Sequence, residues 1–491
     1  MFHYNILYVV VLPLLLFFPL AHTKHNIKIT MKNKSYYKIY MFQKKTHICF
    51  NRIIYKKVNK CKLKEKTIDF FIEHFLHPLD KNNNKKKEKN EFLSHGVTHY
   101  DTILYETNCN ESKNTDMNNQ DCSDDTNYWN EIKNIIKKKV ERTLNKKTCN
   151  NNNNIFEKQE TFVECSKNPP YVFHPTYSDV DIKKDHRFKI KKYEHIFNLL
   201  THDKNNVYNN NFFVPTYDVS KIKNYLFTVH EKSFINKMLN IIKNNENIEM
   251  FELDLCSDLI SRFLVEINGT VLSSLLSLKY WMCLHIGGGN HHSKKDRGDG
   301  FCIFNDIAIA IHYLLFYKIV EQVIILDCDV HQGDGTAELF ENYKNVKTIS
   351  LHCKDNYPYK KKKSYIDIEL DAYIKDDVYL SIYEHTLNCI EFEKKKKTII
   401  FYLAGADISK DDDIGLLLIS DEGIYKRDFM TYKKALEHCV PIVTLLAGGY
   451  NKCDKIVATK HLLTFNAAKD AWNIRNKFAK GTCNMYNKGT K

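Results

Sequence analysis

The run Val323-Ile324-Ile325-Leu326-Asp327-Cys328-Asp329-Val330-His331-Gln332-Gly333-Asp334-Gly335 joins an apolar stretch to two alternate carboxylates and an imidazole, then breaks on glycine. A continuous apolar run of this length reads as a strand buried on both faces. In parallel sheets, ligands bind at the C-terminal ends of such strands. Strand alternation puts Asp327, Asp329 and His331 on one face, close enough to share a metal ion and the groups that orient its ligands. The plain alternative is a buried strand whose end is acidic by accident.

Three other apolar runs end in the same way. Gly287-Gly288-Gly289 leads into Asn290, His291 and His292, followed by Gly298-Asp299-Gly300-Phe301-Cys302. Leu403-Ala404-Gly405-Ala406 leads to Asp407, and Leu446-Ala447-Gly448-Gly449 leads to Tyr450. Glycines let the backbone approach a ligand closely. Asp329, His331 and Asp407 supply two carboxylates and one imidazole, enough for a catalytic zinc with open positions. His291 and His292 are then free to move protons near neutrality, and Tyr450 can donate to a developing oxyanion. The chemistry these residues suit is metal-assisted hydrolysis of an amide. Cys328 reads as core and Asp299 as turn chemistry.

The elements that must position these side chains alternate along the chain from about Tyr171. Strands are expected at Tyr280 to Ile286, Val323 to Cys328, Lys347 to His352, Thr398 to Ala404 and Pro441 to Leu446. Helices are expected at Asn305 to Val320, Thr336 to Tyr343, Asp377 to Glu391 and Gly423 to Cys439. Such alternation implies an α/β fold with a parallel sheet covered on both faces.

The 491 residues leave room beyond one such domain. Net charge is +14, yet 13 of the 73 Lys+Arg and none of the 59 Asp+Glu fall in the first 64 residues. Beyond them the two signs nearly balance, so no direct nucleic-acid binding is expected. Ile6 to Leu20 is apolar but short for a membrane span, and Ala21-His22-Thr23 offers a small-x-small cleavage site. Residues 1–23 therefore read as a signal-peptide-like segment, with no stable span unless it stays uncleaved. Residues 24–78 read as a basic leader with the acid depletion of transit peptides. Secretory entry toward a secondary plastid is the expectation, with nucleus or cytoplasm the alternative. Asn82 to Lys87 and Asn150 to Asn154 mark residues 79–170 as a low-complexity linker or insertion. The catalytic domain is expected at 171–475 and a tail at 476–491. Lys360 to Lys363 reads as a shorter surface insertion. The 15 cysteines form no Cys-x-x-Cys pair, which argues against a zinc ribbon or disulfide framework.

Taken in order, GGGNHH…RGDGFCIFNDIAIA, LDCDVHQGDG, ISLHCKDNYPY, YLAGADISKDD and LLAGGY resemble the zinc-dependent histone deacetylase family. His331-Gln332 and Gly423 to Asp428 look most similar to class IV and its bacterial relatives. The resemblance implies a three-layer sandwich of the arginase/deacetylase type with a low-complexity N-terminal extension. It also implies a zinc-dependent hydrolase that removes acetyl or longer acyl groups from lysine side chains of histone or non-histone proteins. Asp329, His331 and Asp407 would hold zinc. Asp327 would orient His291, Asp334 would orient His292, and Tyr450 would hold the oxyanion. The roles of the two histidines as base and acid stay open. A structural potassium ion would be held by Asp327, Asp329, His331, Ser350 and Leu351. Gly300, Phe301 and Tyr357 would line the substrate channel. The run Asp411-Asp412-Asp413 departs from the family pattern and puts extra negative charge at the pocket rim. It motivates a second reading, a small-molecule amidohydrolase acting on acetylpolyamines. A third is a non-catalytic acyl-lysine-binding scaffold. Manganese hydrolases of the arginase type share the architecture but need more carboxylate ligands than these motifs show.

Overall fold

The apolar run ending at Asp327 is the centre of the sheet. In a computed structural model of the chain, all six residues of Gln322–Asp327 (β8) are buried. So are all six of its neighbour Thr398–Leu403 (β11). A strand buried at every position has cover on both faces, which is why both runs read as continuous apolar sequence. The structure describes residues 26–31, 37–42, most of 68–76, 121–148, 168–201 and 211–487 apart from 184 and 394.

Two compact units divide between Lys64 and Glu65. In the first, Asn26–Met31 (β1) and Tyr37–Phe42 (β2) pair antiparallel, Asn26 opposite Phe42 and Met31 opposite Tyr37. The signal-peptide-like residues 1–23 lie outside the described residues.

The second unit holds the short strands Tyr171–Val172 (β3) and Phe212–Phe213 (β4), and a two-stranded antiparallel pair, Asn247–Met250 (β5) with Leu253–Cys256 (β6). Met282–His285 (β7), Val346–Cys353 (β9), Ile366–Leu370 (β10) and Ile442–Leu445 (β12) join the main sheet. Its eight strands run in the order β10-β9-β8-β11-β12-β7-β3-β4, and every pairing is parallel. Helix Ser257–Tyr280 packs on β7, β12 and β3. Among the described residues it is the one helix long and apolar enough to cross a membrane, and its apolar stretch of 18 residues is buried in the unit. All five strands and four helices expected from the sequence are present within a few residues of their expected ends.

The segment expected to be a low-complexity linker differs over part of its length. Asp121–Thr148 is a 28-residue helix. Its Trp129, Ile132, Ile136 and Val140 recur three and four residues apart and are buried in the same core as the sheet. Polar contacts fix it as well. Lys139 Nζ donates to the Asp258 carbonyl at 2.7 Å, and Lys133 Nζ lies 2.7 Å from Asp218. Phe71, Ile72 and Phe75, from the segment read as leader, are also core residues. Phe75 meets Tyr313 edge-on at 5.1 Å. Apolar periodicity outweighs the Asn/Lys bias here because the apolar stripe has a face to cover. Residues 79–120 and 149–167 lie outside the described residues.

Trp129→Ala should therefore destabilise the unit by about 3–5 kcal/mol, the usual cost of emptying a buried aromatic site. Urea denaturation measures it; a linker residue would cost almost nothing.

Candidate active site

Four loops meet at the C-terminal edge of the sheet because the strands that feed them, β8, β11, β12 and β7, are consecutive neighbours. Their backbones are joined beyond the sheet. Cys328 N–H donates to the Leu403 carbonyl (3.1 Å), Ala406 N–H to Gly448 (2.9 Å) and Ala447 N–H to Gly288 (3.2 Å). Gly448 permits a close approach to both aspartates. A Cβ there would fall 2.0 Å from Asp407 Oδ2 and 2.5 Å from Asp329 Oδ2. Phe301 holds φ at +65°, a region costly for an aromatic residue and frequent at functional sites.

Asp329, His331 and Asp407 are buried, and their ligand atoms all lie within 4.8 Å of one another. His331 Nδ1 is 3.0 Å from Asp329 Oδ1 and 3.3 Å from Asp407 Oδ2. The remaining carboxylate oxygens are aimed by backbone donors. Gly448 N–H donates to Asp329 Oδ2 (2.6 Å) and Val330 N–H to Asp407 Oδ1 (2.9 Å). Asp407 Oδ2 is buried and accepts no hydrogen bond among the described residues. Burial, and after it the charge of Asp329, pushes the Asp407 carboxyl up to about 6. Two carboxylates and an imidazole, with one oxygen left unsatisfied and turned inward, suit a divalent cation.

The tandem histidines each rest on a carboxylate. His291 Nδ1 lies 2.7 Å from Asp327 Oδ2, His292 Nδ1 lies 2.8 Å from Asp334 Oδ1, and the two Nε2 atoms are 3.1 Å apart. Facing nitrogens at that distance hold one proton between them. Burial depresses both rings. For His291 the charges of Asp327 and Asp329 outweigh burial and raise it to about 9. For His292 the neighbouring His291 adds to burial and lowers it to about 4. Both Nδ1 positions are occupied by carboxylates, which leaves the two Nε2 atoms facing each other, with His291 Nε2 3.9 Å from Asp329 Oδ1. Tyr450 meets His331 at 6.0 Å and Phe301 at 6.0 Å between ring centroids. Burial, then Asp329 and Asp407, raise its phenol well above the ordinary value, so it stays a hydrogen-bond donor.

Every residue expected at the site is brought to this edge. The pairing of β8 with β9 sets Asp327 opposite Ser350, next to the buried Leu351. Tyr357 lies edge-on to His292 at 4.9 Å, and Gly300 packs so that a Cβ would fall 2.5 Å from His292 Cδ2. Gln332 anchors a loop. Its amide donates to the Lys362 carbonyl (2.6 Å) and accepts the Lys362 N–H (2.7 Å). The lysines of that loop are partly consumed inside it, with Lys361 Nζ donating to the carbonyls of Asn356 (2.6 Å) and Pro358 (2.7 Å).

Two expectations change. The acidic run does not leave three free charges at the rim. Asp411 lies 2.6 Å from Lys460 Nζ, while Asp412 accepts the N–H groups of Tyr450 (2.6 Å), Gly415 (2.7 Å) and Ile414 (3.0 Å). Asp299 does more than shape a turn, since its carboxylate binds Lys294 at 2.8 Å. The sequence reading also passed over residues that act through the backbone. Arg427, fully buried, donates to the carbonyls of Gly405 (2.7 Å) and Cys328 (3.2 Å), each within two residues of one of the clustered aspartates, Asp407 and Asp329. Asp306 and Glu266 accept from Asn290 N–H (2.8 Å) and Gly288 N–H (2.9 Å), pinning the glycine run ahead of the histidines. Only the position of Asp306, directly after Asn305 at a helix start, hinted at this from sequence.

Asp329→Asn and Asp407→Asn keep shape and remove charge. Each should weaken divalent-cation binding by more than about 100-fold, because loss even of a group that only orients a ligand typically costs 10- to 100-fold. Competition against a chelating dye measures this; unchanged affinity would exclude these residues as ligands.

A model of the histone deacetylase domain matches residues 186–465. An uncharacterised protein of Picosynechococcus sp. is 31% identical over 303 residues, 62% of this chain and 99% of that protein. Histone deacetylase 2 of Arabidopsis thaliana is 28% identical over 284 residues, 56% of this chain and 72% of that protein. The crystal structure of an HDA15 HD domain superposes with a TM-score of 0.50 at 17% identity, covering 66% of this chain and 98% of that domain, a likeness of fold. With the family match spanning more than half of its length, the chain belongs to the histone deacetylase domain family.

Proposed function

We propose that the protein is a zinc-dependent deacylase acting on acyl-lysine side chains of proteins, histone or non-histone, and that it stands nearest class IV. The observation that carries this reading is the pairing of an unsatisfied metal-ligand cluster with two carboxylate-backed histidines and a protonated tyrosine. Zinc bound to Asp329, His331 and Asp407 would polarise water and the acyl carbonyl. His291 and His292 share the proton that leaves the attacking water and return one to the departing lysine amine. Asp327 and Asp334 fix the ring orientations throughout. The Tyr450 hydroxyl donates to the acyl oxygen as negative charge develops there. Phe301 and Tyr357 form walls for the acyl-lysine stem. A structural potassium ion would be held where β8 pairs with β9, by Asp327, Asp329, His331, Ser350 and Leu351. Pairing of Asp411 with Lys460 and of Asp412 with backbone N–H groups weakens the case for a polyamine substrate that the acidic run motivated.

Zinc-loaded protein should release acyl groups from an acyl-lysine peptide and be blocked by a hydroxamate. Tyr450→Phe should lower kcat by about 100- to 1000-fold, the usual cost of one oxyanion donor. Turnover that survives Tyr450→Phe would exclude this mechanism; turnover confined to acetylpolyamines would replace the substrate.

The acid-free residues 24–64 behind the apolar run Ile6 to Leu20 support secretory entry toward a secondary plastid. A fluorescent fusion of residues 1–70 should then enter the secretory route, and diffuse nuclear or cytosolic signal would remove the proposal.

A further inference from the structure

Five side chains close a ring of contacts beside the paired histidines. Asp299 Oδ1 accepts the Tyr357 hydroxyl and the Gly300 N–H (3.1 Å), and its Oδ2 takes the Lys294 ammonium at 2.8 Å. The same ammonium lies 2.8 Å from Asp334 Oδ2. Asp334 Oδ1 in turn holds His292 Nδ1 at 2.8 Å. The Tyr357 ring returns to His292, edge-on at 4.9 Å and 83°. Lys294 is 6% exposed, so its charge is balanced by these two carboxylates and little solvent. Hydrogen bonds to an ionised carboxylate are the strong ones and hold geometry. The phenol tied to Asp299 is held with its ring against His292, and Gly300 packs beside it, a Cβ there falling 3.2 Å from Tyr357 Cε1.

We propose that Asp299 is a positioning residue that fixes Tyr357 as a wall of the substrate channel. Through Lys294, the same carboxylate joins that wall to the group orienting His292, so acyl-chain preference depends on Asp299 although it does not touch the reacting atoms. What passes the channel rests on the deacylase reading; the fixing of Tyr357 does not.

The test is a double-mutant cycle on Asp299→Ala and Tyr357→Phe in zinc-loaded protein, read in two ways. In turnover of acetyl- and butyryl-lysine peptides, each single variant should raise KM by about tenfold while kcat changes less, as loss of one charge-assisted hydrogen bond implies. The butyryl-to-acetyl ratio of kcat/KM should rise. Asp299→Asn, which keeps an acceptor for the phenol, should recover most of the loss. In fluorescence anisotropy with a labelled hydroxamate, the single variants should weaken Kd by a similar factor and the double variant by no more than either. Additive effects, or unchanged KM and Kd in natively folded variants, overturn the proposal. If Asp299→Ala does not fold, Tyr357→Phe decides alone, and unchanged constants overturn it. Wild-type protein that binds the hydroxamate without turnover, while the coupling persists, sinks the deacylase reading and leaves the positioning role standing. Protein that does neither overturns both.

Discussion

The site is organised around buried negative charge. Asp327, Asp329, Asp334 and Asp407 are each no more than 4% exposed, and an unpaired carboxylate so placed costs several kcal/mol. Three of them have partners suited to their positions. Asp327 takes His291, Asp334 takes His292 and Lys294, and Asp329 takes His331 and two backbone N–H groups. Burial opposes the charge on Asp329, yet His291 and His331 hold its carboxyl well below the ordinary range. Asp407 is the carboxylate left over. Its Oδ1 is satisfied by Val330 N–H, its Oδ2 is not, and its affinity for a proton rises. A cation at that oxygen relieves what the protein's own donors do not.

Such a cluster holds its shape only if the strand ends that carry it cannot spread. Parallel pairing fixes β8, β11, β12 and β7 laterally. Beyond the last ladder bond, Arg427 takes over by binding carbonyls on both the β8 and the β11 loops. Its own charge is met by Asp428 at 2.7 Å. A guanidinium suits this task because its planar fork reaches two acceptors at once. On the β7 side, the carboxylates of Glu266 and Asp306 do the equivalent work on backbone N–H groups of the glycine run. Anions thus grip the donors of one loop and a cation grips the acceptors of two others.

The chemistry was legible from sequence because it is local in sequence. Asp327, Asp329 and His331 alternate on one strand end, and His291 and His292 are adjacent, so spacing alone showed them together. Five of the six inner strands, β9, β8, β11, β12 and β7, were legible for the same reason, most of them being short continuous apolar runs. The edge strand β10 was not, since Ile366, Asp367, Ile368 and Glu369 alternate as a half-covered edge does. Arg427, Glu266 and Asp299 were not, because each acts on a partner far away in the chain. Helix Asp121–Thr148 is a different failure. Its stripe of Trp129, Ile132, Ile136 and Val140 was in plain view, but the flanking asparagine and lysine runs gave the whole segment the look of an insertion.

Charge near the channel mouth is the point where composition misleads most. Three consecutive aspartates and four consecutive lysines suggest a strongly charged rim, yet many of these groups are used internally. Lys460 neutralises Asp411, and Asp412 holds the backbone that aims Tyr450. Lys361 holds its own loop together, and Lys362 lies 2.7 Å from Glu338. What remains outward is Asp413 on one side and Lys360 and Lys363 on the other, exposed groups of opposite sign that solvent screens. On the proposed deacylase reading, walls of Phe301, Tyr357 and Tyr450, one of them tied down by Asp299, would discriminate by shape. Fixed charge at the site itself is thus confined to holding geometry.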